Sequence, residues 1–150
     1  MKFFFYYVLL MSVGFSLVSC SSDEDKVEVI YHVMDNNGHE TSVFNYGDDI
    51  VFEVIFTNTT NQTLKFEDEF YFLRGAFIVY DSEGQLFNPI PTDDLLMHPI
   101  TIEQGEQFCR QLIWPWARVP LPIGKYYSTC TPNIDKKSNK TYTVNFEIIK

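Results

Sequence analysis

Trp114-Pro115-Trp116 is the segment of this chain whose residue types point most directly to chemistry. Two indole rings two residues apart face the same way on an extended backbone, and the proline between them fixes that backbone in advance. Such a pair can stack on a sugar or on an aromatic side chain of a partner. The other reading is that one or both rings close the end of a hydrophobic core, where they bury much apolar area. Catalytic patterns are lacking. His32, His39 and His98 show no metal-ligand spacing, and no serine sits in a nucleophile-elbow pattern. His32 falls on an alternating stretch, opposite its apolar face, and is expected to be solvent-facing or half-buried. Asp48-Asp49, Glu67-Asp68-Glu69 and Asp93-Asp94 are acidic enough to attract Ca²⁺ but lack the alternating ligand spacing of a calcium loop, so they read as solvated loop charge. Asn58-Thr59-Thr60, Asn61-Gln62-Thr63 and Asn139-Lys140-Thr141 match the glycosylation sequon and are better explained as hairpin turns. The expectation is no catalytic residue, no metal and no cofactor, with Trp114 and Trp116 as candidate binding residues.

Three cysteines remain, Cys20, Cys109 and Cys130. Cys20 ends a leader in which Lys2 precedes an apolar run over residues 3–18, broken only by Ser12, Gly14 and Ser16. The run is shorter than the roughly 20 residues that span a bilayer comfortably, and an acidic segment follows it, which marks an export signal rather than a stop-transfer helix. Leu17-Val18-Ser19-Cys20 resembles the lipobox of bacterial lipoproteins, and all four positions match. The resemblance implies a signal peptide over residues 1–19, a lipidated Cys20 as the first mature residue and a membrane as partner. An ordinary signal peptide with Cys20 as an accidental thiol is the alternative. Ser21-Ser22-Asp23-Glu24-Asp25 resembles the surface-export signal of lipoproteins of the Bacteroidota. That implies the outer membrane and its exposed face; as a plain acidic tether over residues 20–26 it would leave the domain on the periplasmic face. With Cys20 assigned to lipid, an even pair is left in an oxidising compartment, and Cys109–Cys130 is expected to form a disulfide. It would close a loop of about 20 residues and contribute roughly 3 kcal/mol on the chain-entropy model. Two free or buried thiols are the alternative.

Charge narrows the partners. Loss of residues 1–19 removes Lys2 from the 11 Lys and Arg, leaving 10 against 20 Asp and Glu, formally −10. Nucleic acid is excluded as an expected partner, because phosphate backbones are bound through clustered Lys and Arg and here the basic residues are few and scattered. Residues 27–150 have the length of one ordinary domain.

The elements that must position these residues have a period of two. Val27, Val29, Tyr31 and Val33 alternate with Glu28, Ile30, His32 and Met34, as on a strand with one buried face. Asn36-Asn37-Gly38 turns the chain into a second strand near residues 41–44, and residues 50–56 are dense enough in β-branched and aromatic side chains for a central strand. Further strands are expected at residues 63–66, 77–81, 85–87, 107–113, 125–131 and 140–149, the last with Tyr142, Val144, Phe146 and Ile148 on one face. Residues 88–98 form a long loop with one helical turn capped by Thr92, and residues 114–124, with three prolines, cannot be regular for long. Short strands at regular spacing with Gly- and Asn-rich turns predict an all-β, immunoglobulin-like antiparallel β-sandwich over residues 27–150.

The order Gly47-Asp48-Asp49-Ile50-Val51-Phe52, Thr57-Asn58-Thr59-Thr60-Asn61, Phe77-Ile78-Val79-Tyr80-Asp81-Ser82-Glu83-Gly84, Ile102-Glu103-Gln104-Gly105-Glu106 and Pro122-Ile123-Gly124-Lys125-Tyr126 is similar to the immunoglobulin-like domain of the intracellular proteinase inhibitor (BsuPI) family. The resemblance implies that fold. A lipid anchor places this chain outside the cytoplasm, so inhibition of cytoplasmic proteases does not carry over, nor does any inhibitory residue. The expected function is a membrane-anchored, non-catalytic binding module for protein–protein interaction, inhibitor-like or an assembly component, through loops 88–98 and 114–124. The alternative is a glycan-binding accessory lipoprotein using Trp114 and Trp116.

Overall fold

The computed structural model describes residues 27–67, 72–73, 75–87, 98–114, 116–117, 119–134 and 140–150. The leader, Cys20 and its acidic tether, the expected turn at 92–97 and Pro115 lie outside them.

Among the described residues ten strands follow one another: β1 (Glu28–Met34), β2 (Val43–Asn45), β3 (Val51–Thr57), β4 (Leu64–Phe66), β5 (Gly75–Asp81), β6 (Leu86–Phe87), β7 (Ile100–Ile102), β8 (Gln107–Ile113), β9 (Gly124–Thr131) and β10 (Tyr142–Ile149). They form a three-stranded sheet, β1-β3-β8, a five-stranded sheet, β2-β10-β9-β5-β6, and the small pair β4-β7. The result is an immunoglobulin-like β-sandwich. Its core follows from strand alternation: Phe52, Val54 and Phe56 of β3 face inward and are fully buried, while Tyr126, Ser128 and Cys130 of β9 and Phe146 and Ile148 of β10 close the interior from the other sheet. Phe52 packs edge-on against both Trp114 and Phe146, tying the sheets together. At the start of β9 the Tyr126 hydroxyl donates to the Pro122 carbonyl at 2.6 Å, the tyrosine corner of immunoglobulin-like sandwiches.

Two features depart from the expected topology. The sandwich is not wholly antiparallel, because β2 runs parallel to β10, with Glu147 opposite Val43 and Ile149 opposite Asn45. The turn at Asn36-Asn37-Gly38 does send the chain back, but only Glu40 bridges to Met34 before the chain crosses to the other sheet. Second, β7 is a strand of three residues squeezed between Pro99 and Glu103, too short for its alternation to register in the sequence.

Correction of the disulfide follows from parity. Phe108 and Leu112 of β8 point toward the core, so Cys109 between them points out of the three-stranded sheet. Cys130 points into the core from the five-stranded sheet and is fully buried. Both thiols are free. Their Cβ vectors point the same way across the sandwich, one leaving it and one entering it, and such a pair cannot be bridged without moving a strand.

A bulge shapes the outer surface. Gly75 pairs with Thr131 and Ile78 with Thr129, so β5 holds one extra residue over that interval. Ala76 and Phe77 are both buried as a result, and Phe77 adopts φ 61°, a left-handed conformation costly for a bulky side chain. Its ring, tilted against Tyr31 at 6.0 Å, is fully buried, and that packing holds the strained backbone. Beyond the bulge the phase of β5 is reset, and Tyr80 stands on the outer face opposite Tyr127.

Candidate functional site

Trp114 and Trp116 separate in the fold. Trp114 is 1% exposed, and its indole N–H donates to the Val119 carbonyl at 2.6 Å. It therefore has no free face, and the two-ring platform is corrected to a core residue followed by a half-buried one. Trp116 meets Tyr46 edge-on at 5.1 Å at the border of the core. Leu112 and Trp114 share the inward parity of β8, which is why the first ring goes inside.

Asp48, Asp49 and Asn58 have structural roles, whereas Asp68, Glu69, Asp93, Asp94 and Asn139 lie outside the described residues. Asp48 accepts from the backbone and side-chain amides of Asn45, and Asp49 accepts from Asn36. Asn58 is fully buried, with both sides of its amide engaged, and so is unavailable to a glycosyl group. Among the described residues no group of three or more His, Cys, Asp and Glu side chains converges as a metal site, and no helix is long and apolar enough to cross a membrane.

His32 takes part in a polar row that sequence spacing did not reveal. Cross-strand register sets His32, Glu53 and Gln111 side by side on the outer face of the three-stranded sheet. Glu53 accepts from His32 Nε2, from Gln111 Nε2 and from the Cys109 thiol at 3.2 Å. Burial pushes Glu53 up, but the hydrogen bonds from Gln111, His32 and Cys109 outweigh it and hold the carboxyl below its ordinary value. Burial, and then the Glu53 carboxylate, push the Cys109 thiol up to about 11. The carboxylate thus stands between imidazole and thiol and keeps the thiol protonated, the reverse of what a nucleophilic cysteine needs.

This row predicts an acid limb of stability. With its folded pKa below the ordinary 4.5, Glu53 stabilises the fold above that value and ceases to do so as pH falls through the folded pKa. Glu53→Gln is expected to cost about 2 kcal/mol at neutral pH. The gap to the unmodified protein should close in acid, as read from melting temperature against pH. A gap that stayed constant down to strongly acidic pH would show that the carboxylate contributes no charge-dependent stability.

The outer face of the five-stranded sheet carries a different arrangement. Register lines up Leu86, Tyr80, Tyr127 and Asn145 across β6, β5, β9 and β10, with Lys125, Glu147 and Val43 in the next row. Tyr80 and Tyr127 stack with ring centroids 5.0 Å apart and planes 16° from parallel. Tyr127, Lys125, Asn145, Glu147, Ser42 and Ser82 line a cavity of 510 Å³, whereas Tyr80 backs Tyr127 from the far side. An aromatic wall bordered by an amide, an ammonium, a carboxylate and two hydroxyls can bind a ligand with an apolar face and a hydroxylated edge. The sequence signal for Tyr127 was its outward parity beside inward Tyr126. Tyr80 had the same signal, since Phe77 and Val79 face inward and a period of two turns Tyr80 outward.

No protein-family model matches the chain, and none of the curated proteins matches it. Solved structures do. The C-terminal domain of wzt covers 83% of this chain and 74% of its own length, with a TM-score of 0.50 at 10% identity. The CARDB domain of the PF1109 protein from Pyrococcus furiosus, solved in complex with di-metal ions, covers 83% of this chain and 90% of its own, with a TM-score of 0.43 at 12% identity. The yjhA protein from Bacillus subtilis covers 81% and 87%, with a TM-score of 0.40 at 16% identity. At these identities the likeness is one of fold. The sandwich that the resemblance to the inhibitor family implied is the fold described above, and no family model joins the chain to that family.

Proposed function

We propose that this domain is a non-catalytic carbohydrate-binding module that takes neutral sugars on the outer face of its five-stranded sheet, with Tyr127 as the stacking residue. The observation that carries this reading is the Tyr80–Tyr127 stack beside the 510 Å³ cavity. Pyranose rings present apolar C–H faces to aromatic rings, and Tyr80 holds Tyr127 in one orientation, so little side-chain freedom is lost on binding. Asn145 both donates and accepts, Lys125 donates and Glu147 accepts, which matches hydroxyls of either polarity. A chain of formal charge −9 disfavours acidic polysaccharides. In calorimetry, Tyr127→Ala is expected to weaken binding of a neutral polysaccharide by about tenfold or more with little change in melting temperature. Undiminished binding by the variant would refute the site.

The glycan reading moves the aromatic contact from the tryptophans to the tyrosines. A protein partner is the second reading, favoured by Ile30 and Ile113, 44% and 58% exposed on the outer face of the three-stranded sheet. Such a surface would bind through apolar contact rather than through loops 88–98 and 114–124.

We also propose that the mature chain begins at a lipidated Cys20 and is held at the outer membrane, on the support of the leader and of Leu17-Val18-Ser19-Cys20. Thiol titration of exported protein tests this. Lipidation blocks Cys20, so after denaturation only the two thiols of Cys109 and Cys130 should react, both of which the fold keeps protonated, Cys109 beside Glu53 and Cys130 by burial. A third reactive thiol in denatured mature protein would rule the anchor out.

A further inference from the structure

A second groove borders the first. It has a volume of 640 Å³ and is lined by Tyr31, His32, Val33, Glu40, Thr41, Ser42, Val144 and Asn145. Ser42 and Asn145 line both cavities, so the two meet across β10. The cause is the shortness of β2. It covers only Glu147, Ile148 and Ile149 of β10, which leaves the edge at Val144 and Asn145 open toward β1, while residues 40–42 arch over the gap.

Resting on the carbohydrate reading above, we infer that the ligand is an extended neutral oligosaccharide chain that runs from Tyr127 over Asn145 into the cleft between β10 and β1. From β9 to β10 is one strand spacing of about 4.8 Å, and the step from one sheet to the other adds about 10 Å, so the path is roughly 15 Å long. That length suits several sugar units rather than one. The second groove is rich in acceptors. His32 Nε2 is held by Glu53, and its Nδ1 lies 3.8 Å from the Glu40 carboxylate, too far for a hydrogen bond. Glu40 is 74% exposed, and Thr41 and Ser42 stand beside it. Acceptors of this kind receive hydrogen bonds from sugar hydroxyls and repel carboxylate or sulfate groups.

Calorimetry with short and long members of the cello-, malto- and manno-oligosaccharide series tests the inference on the full mature chain. In the series that binds, affinity should rise by about tenfold from the disaccharide to the longest member. Glu40→Trp, a bulky residue at an exposed position, should reduce the long chain to the affinity of the disaccharide and leave the disaccharide unaffected. Tyr127→Ala should weaken both. Equal affinity for short and long chains, or an unchanged long-chain affinity in Glu40→Trp, would overturn the extended groove while Tyr127 kept its role. Absence of binding by every member of the three series would overturn both proposals.

Discussion

Alanine in place of Trp114 is expected to destabilise the domain by about 4 kcal/mol, and in place of Trp116 by only about 1 kcal/mol. The difference comes from position rather than residue type. Trp114 is almost wholly buried, packs edge-on against Phe52 at a centroid distance of 6.3 Å and places its N–H on the Val119 carbonyl. Removing the ring leaves a large cavity between the sheets and orphans that carbonyl, two costs that add. Trp116 is half-buried at the border and touches Tyr46, itself largely exposed, so the surroundings of a truncated Trp116 can be filled by water. Urea denaturation of the two variants measures the contrast. Equal losses would mean that the indoles are equivalent and that Trp114 is not the core residue described here.

Asn58→Ala should rank next, at about 3 kcal/mol. Asn58 sits at the end of β3 and ties three segments through one buried amide. Its Nδ2 donates to the carbonyls of Gln62 at 2.7 Å and Ile102 at 2.9 Å, and its Oδ1 accepts from the Thr60 backbone N–H at 3.0 Å and hydroxyl at 2.7 Å. The backbone of Asn58 also bonds to Glu106 and Gly105, so the turns after β3 and before β8 meet at this residue. Alanine would leave buried polar groups without partners, at 1–3 kcal/mol for each that water cannot reach, taken as about 3 kcal/mol in all. Asn58→Asp preserves the shape but replaces the donor with a buried acceptor, and a similar loss is expected. A loss below about 1 kcal/mol in both variants, measured by the same denaturation, would show that water replaces the amide without penalty.

Much of the sandwich was legible because its long strands alternate. The apolar phases of β1 and β10 in the sequence are the phases seen, with Val27, Tyr31, Val33, Phe146 and Ile148 all buried. What escaped depended on pairing between distant segments. Residues 41–44 follow a turn rich in Asn and Gly, and local turn chemistry favours a hairpin with β1; the parallel pairing with β10 is set by tertiary packing. The cysteine pair was misread because an even count in an exported chain says nothing of which way each thiol faces, whereas the apolar neighbours Phe108 and Leu112 do fix the outward phase of Cys109. The polar row around Glu53 was hidden for the same reason: His32, Glu53 and Gln111 lie far apart in sequence and meet only through register. The tyrosine face needed register, because Tyr80 and Tyr127 lie far apart in sequence and meet only where β5 pairs with β9.

The position of a bound sugar decides the account. Amide chemical-shift mapping during titration with a neutral oligosaccharide that binds is predicted to perturb Lys125 and Tyr127 of β9 and Asn145 and Glu147 of β10, with Ile30, Cys109 and Ile113 unmoved. Perturbation confined to the three-stranded sheet around Ile30 and Ile113, with Tyr127 and Asn145 unmoved, would contradict it.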